Sequence, residues 1–382
     1  MERTPCSASL MTLSLSENYG AALQTYASAE AFRRLGASVT VYNYNDARRL
    51  TYGLSLPAKI KYRVWTALKH LLTLGKKARR YRSFRAKHIP MSKRYRNNAE
   101  LRAAPGEYDV YVAGSDQIWN PALFLFDYSY LLDFVPTGKR KISYATSFGK
   151  AALGEGDRER MASLLRDFSA LSVREESGKD ILRELVGREA ELCLDPTLLL
   201  RREDWEPVAA DAKPRHPDFH GILCYIMPGD PAVEAAILEV AESLKKKTGL
   251  PILCLGMKEY KRFTSYRRNL CDIVAGPSEF IYYMLRAEYV VTNSFHGTAF
   301  SVNFGKRFYV PINTSLPPSR ALHERILSFL KLVGAESALV RLGDGTITLA
   351  EPPEAGPMQE RLEAAREHSY AYIENALWGD PS

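Results

Sequence analysis

The chain has 382 residues, 46% of them hydrophobic and 25% charged, with 24 Gly and 21 Pro. That is an ordinary globular balance for about two domains, and it excludes a disordered or fibrous chain. No apolar run approaches the roughly 20 residues needed to span a bilayer, and Met1 to Leu15 carries only Arg3 as a cation, so a soluble, cytoplasmic protein is expected.

The net charge of +8 is local rather than general. Between Asp46 and Glu100 there are 16 Lys and Arg and no acid, which leaves 36 of the 52 basic residues against 44 acidic ones elsewhere. The five cysteines have no CxxC spacing, and Cys193, Cys224 and Cys254 sit in apolar runs. Buried small hydrophobes are therefore expected, with no disulfide framework and no zinc site.

In chain order, the apolar run LMTLSL, the polar turn Ser16 to Gly20, an Ala-rich stretch to Leu35, Gly36 and the alternating SVTVYNY spell strand, helix, stop and strand. The basic segment of about 47–99 follows as a helical insertion. In it Ile60, Val64, Leu68, Leu71 and Leu72 recur at helical spacing beside Trp65. Such a helix can pack its apolar stripe on the domain and solvate its cations, or lie on an anionic membrane. No nucleic-acid motif accompanies it, so no nucleic-acid partner is expected.

YDVYVAG and KISYATSFG read as strands that end in polar turns, and a helix is predicted over Asp157–Phe168. ALSVRE is a short strand ending at Arg174, Ser177 is the expected cap of the next helix, Gly187 stops that helix, and AELCLDPTLLL closes the first half. The second half repeats the pattern with GILCYIM, a helix over Ala232–Lys247, PILCLGM, CDIVAG, a helix over Glu279–Arg286, EYVVTNS, a short helix after Phe295, and RFYVPI. The expected architecture is α/β, with two doubly wound domains over 1–200 and 201–350 and a helical tail over 351–382.

In parallel α/β sheets ligands bind beyond the carboxyl ends of the strands. The polar residues just past the apolar runs are therefore the candidates: Asn18, Tyr19 and Gly20; Ser115, Asp116 and Gln117; Ser147; Arg174 and Glu175; and Thr292, Asn293, Ser294 and His296. Each could equally cap a turn. Their expected meeting place is a cleft with Asn18, Asp116 and Arg174 from one half and His296 from the other. TNSFHG is the most specific stretch, because it places a histidine, whose ordinary pKa is suited to proton transfer, where a helix N-terminus can receive an anion. Arg174 suits bidentate binding of carboxylate or phosphate, or alternatively a salt bridge to Glu175, Glu176 or Asp180. Signatures for dinucleotide, P-loop, serine-esterase and zincin chemistry are missing from the sequence.

NYGAALQTYASAEAFRRLGASVTVYNYN, YDVYVAGSDQIWNP, KISYATSFG, LSVREESG, LCLDPT and AEYVVTNSFHGTAFSVNFGKRFYV, with Ser319-Arg320 beyond, occur in that order over residues 10–330. Together they resemble the polysaccharide pyruvyl transferase family. The resemblance implies two Rossmann-like domains of the glycosyltransferase-B kind. It also implies transfer of pyruvate from phosphoenolpyruvate to two hydroxyls of a sugar, free or lipid-linked, as a cyclic ketal, with no cofactor beyond the donor substrate. His296 and Arg174 are then expected in donor binding and catalysis, His296 moving the proton. Lys306 and Arg320 are candidates for the anion, and Asp116 for the base or acceptor contact. A nucleotide-sugar-dependent glycosyltransferase and a non-catalytic sugar-binding relative are the alternatives.

Overall fold

The computed structural model describes residues 5–45, 75–120, 127–149, 155–255, 270–313, 322–342, 347 and 349–379. The predicted Ile60–Leu72 stripe and Arg320 lie outside these residues.

By internal contacts the chain forms two units, Met1–Leu199 with Glu367–Ser382, and Leu200–Arg366. The first unit contains β1 (Cys6–Met11), α1 (Tyr19–Arg34), β2 (Ala37–Tyr44), α2 (Gly75–His88), β3 (Met91–Tyr95), α3 (Asn98–Ala103), β4 (Val110–Ala113) and β5 (Arg140–Ser143). It continues through α4 (Glu155–Arg166), β6 (Ser172–Val173), α5 (Glu176–Val186) and β7 (Glu191–Leu192). The second unit contains α6 (Glu206–Ala210), β8 (Gly221–Tyr225), α7 (Pro231–Thr248), β9 (Ile252–Leu255), β10 (Leu270–Asp272), α8 (Pro277–Arg286), β11 (Ala287–Thr292), α9 (Phe295–Asn303), β12 (Arg307–Asn313), α10 (Leu322–Val333) and β13 (Leu339–Leu342). A final helix, α11 (Ala355–Trp378), contributes its first half to the second unit and its last turns to the first. The 351–382 stretch is thus shared between the units.

Every strand pairing is parallel among the described residues. The first sheet runs β3-β2-β1-β4-β5, and the Ile142–Ala170 and Thr146–Val173 bridges carry it on to the β6-β7 pair. The second runs β10-β9-β8-β11-β12-β13, the same order when strands are counted within the unit. In both, the direction of winding reverses between the first and fourth strands, β1/β4 and β8/β11. That reversal point is where a doubly wound, Rossmann-like sheet opens its ligand crevice.

Burial follows from composition. The central strands are covered on both faces, so GILCY and ILCL are buried throughout. α1 presents Ala21, Ala22, Ala27, Ala29 and Ala31 as buried contacts, small enough to let it lie close to the sheet. It ends where Gly36 takes φ +100°, a conformation that favours glycine. The cysteines are free, and burial pushes the Cys193 thiol up to about 12, which makes it a packing group.

The described part of the basic segment, α2, buries Ala78, Tyr81 and Phe84. Tyr81 stacks on Tyr19 with centroids 6.0 Å apart, and Phe84 meets Tyr26 edge-on at 6.1 Å. Lys76, Arg79, Arg82 and Lys87 point outward and are exposed. Among the described residues no helix is long and apolar enough to cross a membrane.

Candidate functional site

At the carboxyl edge of the first sheet, Asn18 follows β1 as the N-cap of α1, its Oδ1 accepting from Ala21 N at 3.3 Å. Tyr19 and Gly20 occupy the first turn and are buried. Thr12 locks the reversal point, since its hydroxyl donates to Ser115 O at 2.9 Å and accepts from Gln24 Nε2 at 2.8 Å.

The tips of β4 and β5 are knitted together. Ser115 Oγ donates to Ala145 O at 2.8 Å, and Ser147 N donates to Asp116 O at 3.0 Å. Asp116 and Ala145 both hold left-handed backbone conformations, with φ 77° and 47°. Such conformations are strained for residues with a Cβ and persist only where surrounding bonds enforce them. Gly149, at φ +65°, closes the next turn, where a Cβ would collide with the Gln117 and Asn120 side chains. Ser115 and Ser147 are fully buried, and their polar groups hold these turns. The substrate-contact role expected for them is therefore replaced by a structural one. Gln117 Oε1 accepts from Asn120 Nδ2 at 2.7 Å.

Arg174 leaves the end of β6 and turns inward, its side chain only 1% exposed. Nη1 pairs with Asp195 Oδ2 at 2.7 Å, Nη2 with Asp116 Oδ1 at 3.2 Å, and Nε lies 3.7 Å from Glu175 Oε2. Desolvation opposes the charge of this buried guanidinium, yet its three carboxylate neighbours hold its pKa above the ordinary value. Sequence reasoning offered Glu175 as a salt-bridge partner and missed Asp195. Asp195 follows β7 as the other candidates follow their strands, so strand-end position was the available signal. Glu175 also occupies the N-cap position of α5, one position before the helix begins at Glu176. The helix thus starts ahead of Ser177, the expected cap.

The second unit's edge is built differently. β11 ends at Thr292, whose hydroxyl donates to Tyr225 O at 2.5 Å across the reversal point. Asn293 then clamps the loop after β8, accepting from Met227 N at 2.7 Å and donating to Met227 O at 2.8 Å. Ser294 is the N-cap of α9 and accepts from Gly297 N. A Cβ on Gly297 would stand 2.5 Å from Thr292 Oγ1, so only glycine lets the helix begin this close to its strand. His296 therefore sits in the first turn of α9, 8% exposed, its ring edge-on to Phe295 at 5.4 Å. α10 adds a buried guanidinium that the sequence reading did not single out: Arg325 lies 5.9 Å from the Phe295 ring centroid.

Lys306 is a correction. Its Nζ donates to Leu285 O at 2.7 Å and Ala287 O at 2.9 Å, the end of α8 and the first residue of β11. It caps that helix at the amino edge of the sheet, about 20 Å from Asn293 at a strand rise of roughly 3.3 Å per residue. Burial, aided by Arg202, lowers its pKa to about 8. A groove of about 550 Å³ between α6 and α8 opens on this same edge, lined by Arg202, Glu206, Tyr282 and Arg286 among others, away from His296.

A family profile for polysaccharide pyruvyl transferases matches residues 18–315. The chain belongs to that family. The activity of the family is a transferase activity, the pyruvylation of polysaccharides, and the match takes in the carboxyl-edge loops of both units. No curated protein matches the chain. Among solved structures it is similar to a protein from Listeria monocytogenes assigned as a UDP-N-acetylglucosamine 2-epimerase, at 8% identity and TM-score 0.52, covering 99% of this chain and 92% of that one. It is also similar to the UDP-GlcNAc 2-epimerase of Methanocaldococcus jannaschii, at 14% identity and TM-score 0.50, covering 95% and 92%. At such identities the likeness is one of fold, and that fold is the glycosyltransferase-B-like pair of Rossmann-like domains.

Proposed function

We propose that this pyruvyl transferase moves pyruvate from phosphoenolpyruvate to two hydroxyls of one sugar in a polysaccharide or its precursor, forming a cyclic ketal and releasing phosphate. The observation that carries the reading is His296 in the first turn of α9, just past the carboxyl end of β11. The positive end of a helix dipole suits the carboxylate and phosphate of the donor. An imidazolium there can protonate C3 of the enol phosphate. One acceptor hydroxyl then adds to C2 and loses its proton. Departure of phosphate with its electron pair opens C2 to the second hydroxyl, whose proton is lost in turn. Of the two hydroxyl protons released, one balances the proton gained at C3 and the other leaves with phosphate.

Asp116 of the first unit is assigned as the base or hydrogen-bond acceptor for an acceptor hydroxyl. The exposed cations of α2 support a contact with anionic membrane when the acceptor is lipid-linked. Cosedimentation should then occur with anionic vesicles and not neutral ones, and high salt should release the protein.

Phosphate release with phosphoenolpyruvate and a panel of sugar nucleotides and lipid-linked sugars tests the reaction. In a thermal-shift assay, phosphoenolpyruvate at 100 times its Kd should add about 2.7 kcal/mol, and UDP or GDP should add nothing. The reverse pattern would establish a nucleotide-sugar donor instead.

A further inference from the structure

The groove between α6 and α8 belongs to the second unit alone and opens on the amino edge of its sheet, away from His296. Its volume of about 550 Å³ is in the range of small-molecule pockets. Ala209 and Leu285 form an apolar wall, and the charged side chains lining the groove are Arg202, Arg286 and Glu206. Both arginines are exposed, and neither forms an ion pair among the described residues, although Glu206 shares the groove. Arg286 sits over the Tyr282 ring, 3.7 Å from its centroid, and the Tyr282 hydroxyl donates to Pro217 O at 2.6 Å. The fixed ring thus holds the guanidinium and leaves its N–H edge available. The Arg202 side chain donates from Nη1 to Phe304 O at 3.3 Å, which leaves its other nitrogens for a ligand.

A third cation adjoins the groove. Lys306 Nζ covers the Leu285 and Ala287 carbonyls at 2.7 and 2.9 Å, so the end of α8 presents an ammonium where bare carbonyls would repel an anion. Arg202 opposes the Lys306 charge more strongly than Glu288 supports it. An anion bound beside these like charges relieves their repulsion.

We propose that this groove binds a small sugar phosphate, with Arg202 and Arg286 taking the phosphate, Glu206 accepting hydrogen bonds from sugar hydroxyls, and Ala209 and Leu285 packing on the carbon face. Two guanidinium forks and a nearby ammonium match a phosphate dianion. A carboxylate in the same groove matches hydroxyl donors, which an inorganic anion lacks. The site is separate from the pyruvyl-transfer edge, and the inference does not rest on that reading.

Calorimetry on the full chain with glucose-6-phosphate at constant ionic strength tests it, with glucose and inorganic phosphate as the other arms. Glucose-6-phosphate should bind, inorganic phosphate should bind more weakly, and glucose should not bind. Arg202→Gln and Arg286→Gln should each weaken the sugar phosphate about tenfold or more. Glu206→Ala should weaken the sugar phosphate and tighten inorganic phosphate, because it removes the hydroxyl partner and a repelling charge together. His296→Ala should change neither, which separates the groove from the carboxyl edge. At about pH 9 the phosphate is a dianion and Lys306 is partly neutral. A bound anion raises the ammonium pKa, so binding there should take up protons, read from the dependence of the heat on the ionisation enthalpy of the buffer, and Lys306→Met should abolish the uptake.

Equal affinity in the wild type and both arginine variants would overturn the site, as would binding of glucose as tight as that of its phosphate, or no binding at millimolar glucose-6-phosphate. Inorganic phosphate bound as tightly as the sugar phosphate would overturn the role of Glu206 and assign the groove to free phosphate. Proton uptake that persists in Lys306→Met would remove Lys306 from the site. If Lys306→Met does not fold, the exposed Arg202 and Arg286 variants decide the matter.

Discussion

The two sheets share one strand order and one reversal point, yet their carboxyl edges have opposite chemistry. The first gathers Asp116, Glu175 and Asp195 around a single buried guanidinium and tolerates left-handed backbone at Asp116 and Ala145. The second carries no carboxylate among Thr292, Asn293, Ser294 and His296, and begins a helix there. One edge is rich in carboxylates engaged with a buried guanidinium, the other is uncharged around the start of a helix. Topology decides where side chains meet, and the loop residues decide what they can do there.

The comparison can be broken most sharply at His296. Replacement by Ala should lower kcat 100-fold or more, equivalent to about 2.7 kcal/mol in the barrier, with an unchanged circular dichroism spectrum. A loss below tenfold would remove the histidine from proton transfer.

A smaller effect is expected at the two locks of the reversal points, Asn293 and Thr12. Asn293→Ala leaves Met227 without its two side-chain partners, and Thr12→Val leaves Ser115 O and Gln24 Nε2 without one bond each. Each should cost about 1–3 kcal/mol in urea unfolding. A cost confined to one of the pair would show that the crevices are not held alike.

The helix caps should cost less again. Asn18→Ala and Ser294→Ala each remove a cap side chain that accepts a first-turn amide, worth about 1 kcal/mol by the same measurement.

The smallest effect concerns Lys306, whose folded pKa of about 8 lies below its ordinary 10.5. Between these values the unfolded chain binds the proton that the folded one has shed, so stability rises with pH across that window. The wild type should gain on Lys306→Met as pH climbs from 8 towards 10.5, and the difference should be flat below 8. A difference that stays flat over that range would mean that the two carbonyl bonds keep the ammonium charged.

Much of the site was legible because a parallel sheet places every strand's following residue on one edge. Asn18, Asp116, Arg174 and His296 were found by that rule alone, and the structure places each of them at such an edge. The same rule applied strictly would have excluded Lys306, which precedes β12 and so belongs to the amino edge. Of Arg174's company only the adjacent Glu175 was legible. Its partners Asp116 and Asp195 are 58 and 21 residues away in sequence, and an arginine that binds a ligand reads the same as one that binds its own protein.

Local pattern was enough to read the alternation of strand and helix, the glycine stop at Gly36, the burial of Cys193, Cys224 and Cys254 and the edge that collects the strand-end residues. These follow from periodicity and local backbone preference, which act over a few residues. Long-range packing settled the rest: Ser115 and Ser147 hold turns, Lys306 caps a helix, and Asp116 sits in a left-handed turn beside a buried cation. Each of those outcomes depends on which loops pack together, and burial is what turns the resulting contacts into roles, because a buried polar group must find its partner inside the protein.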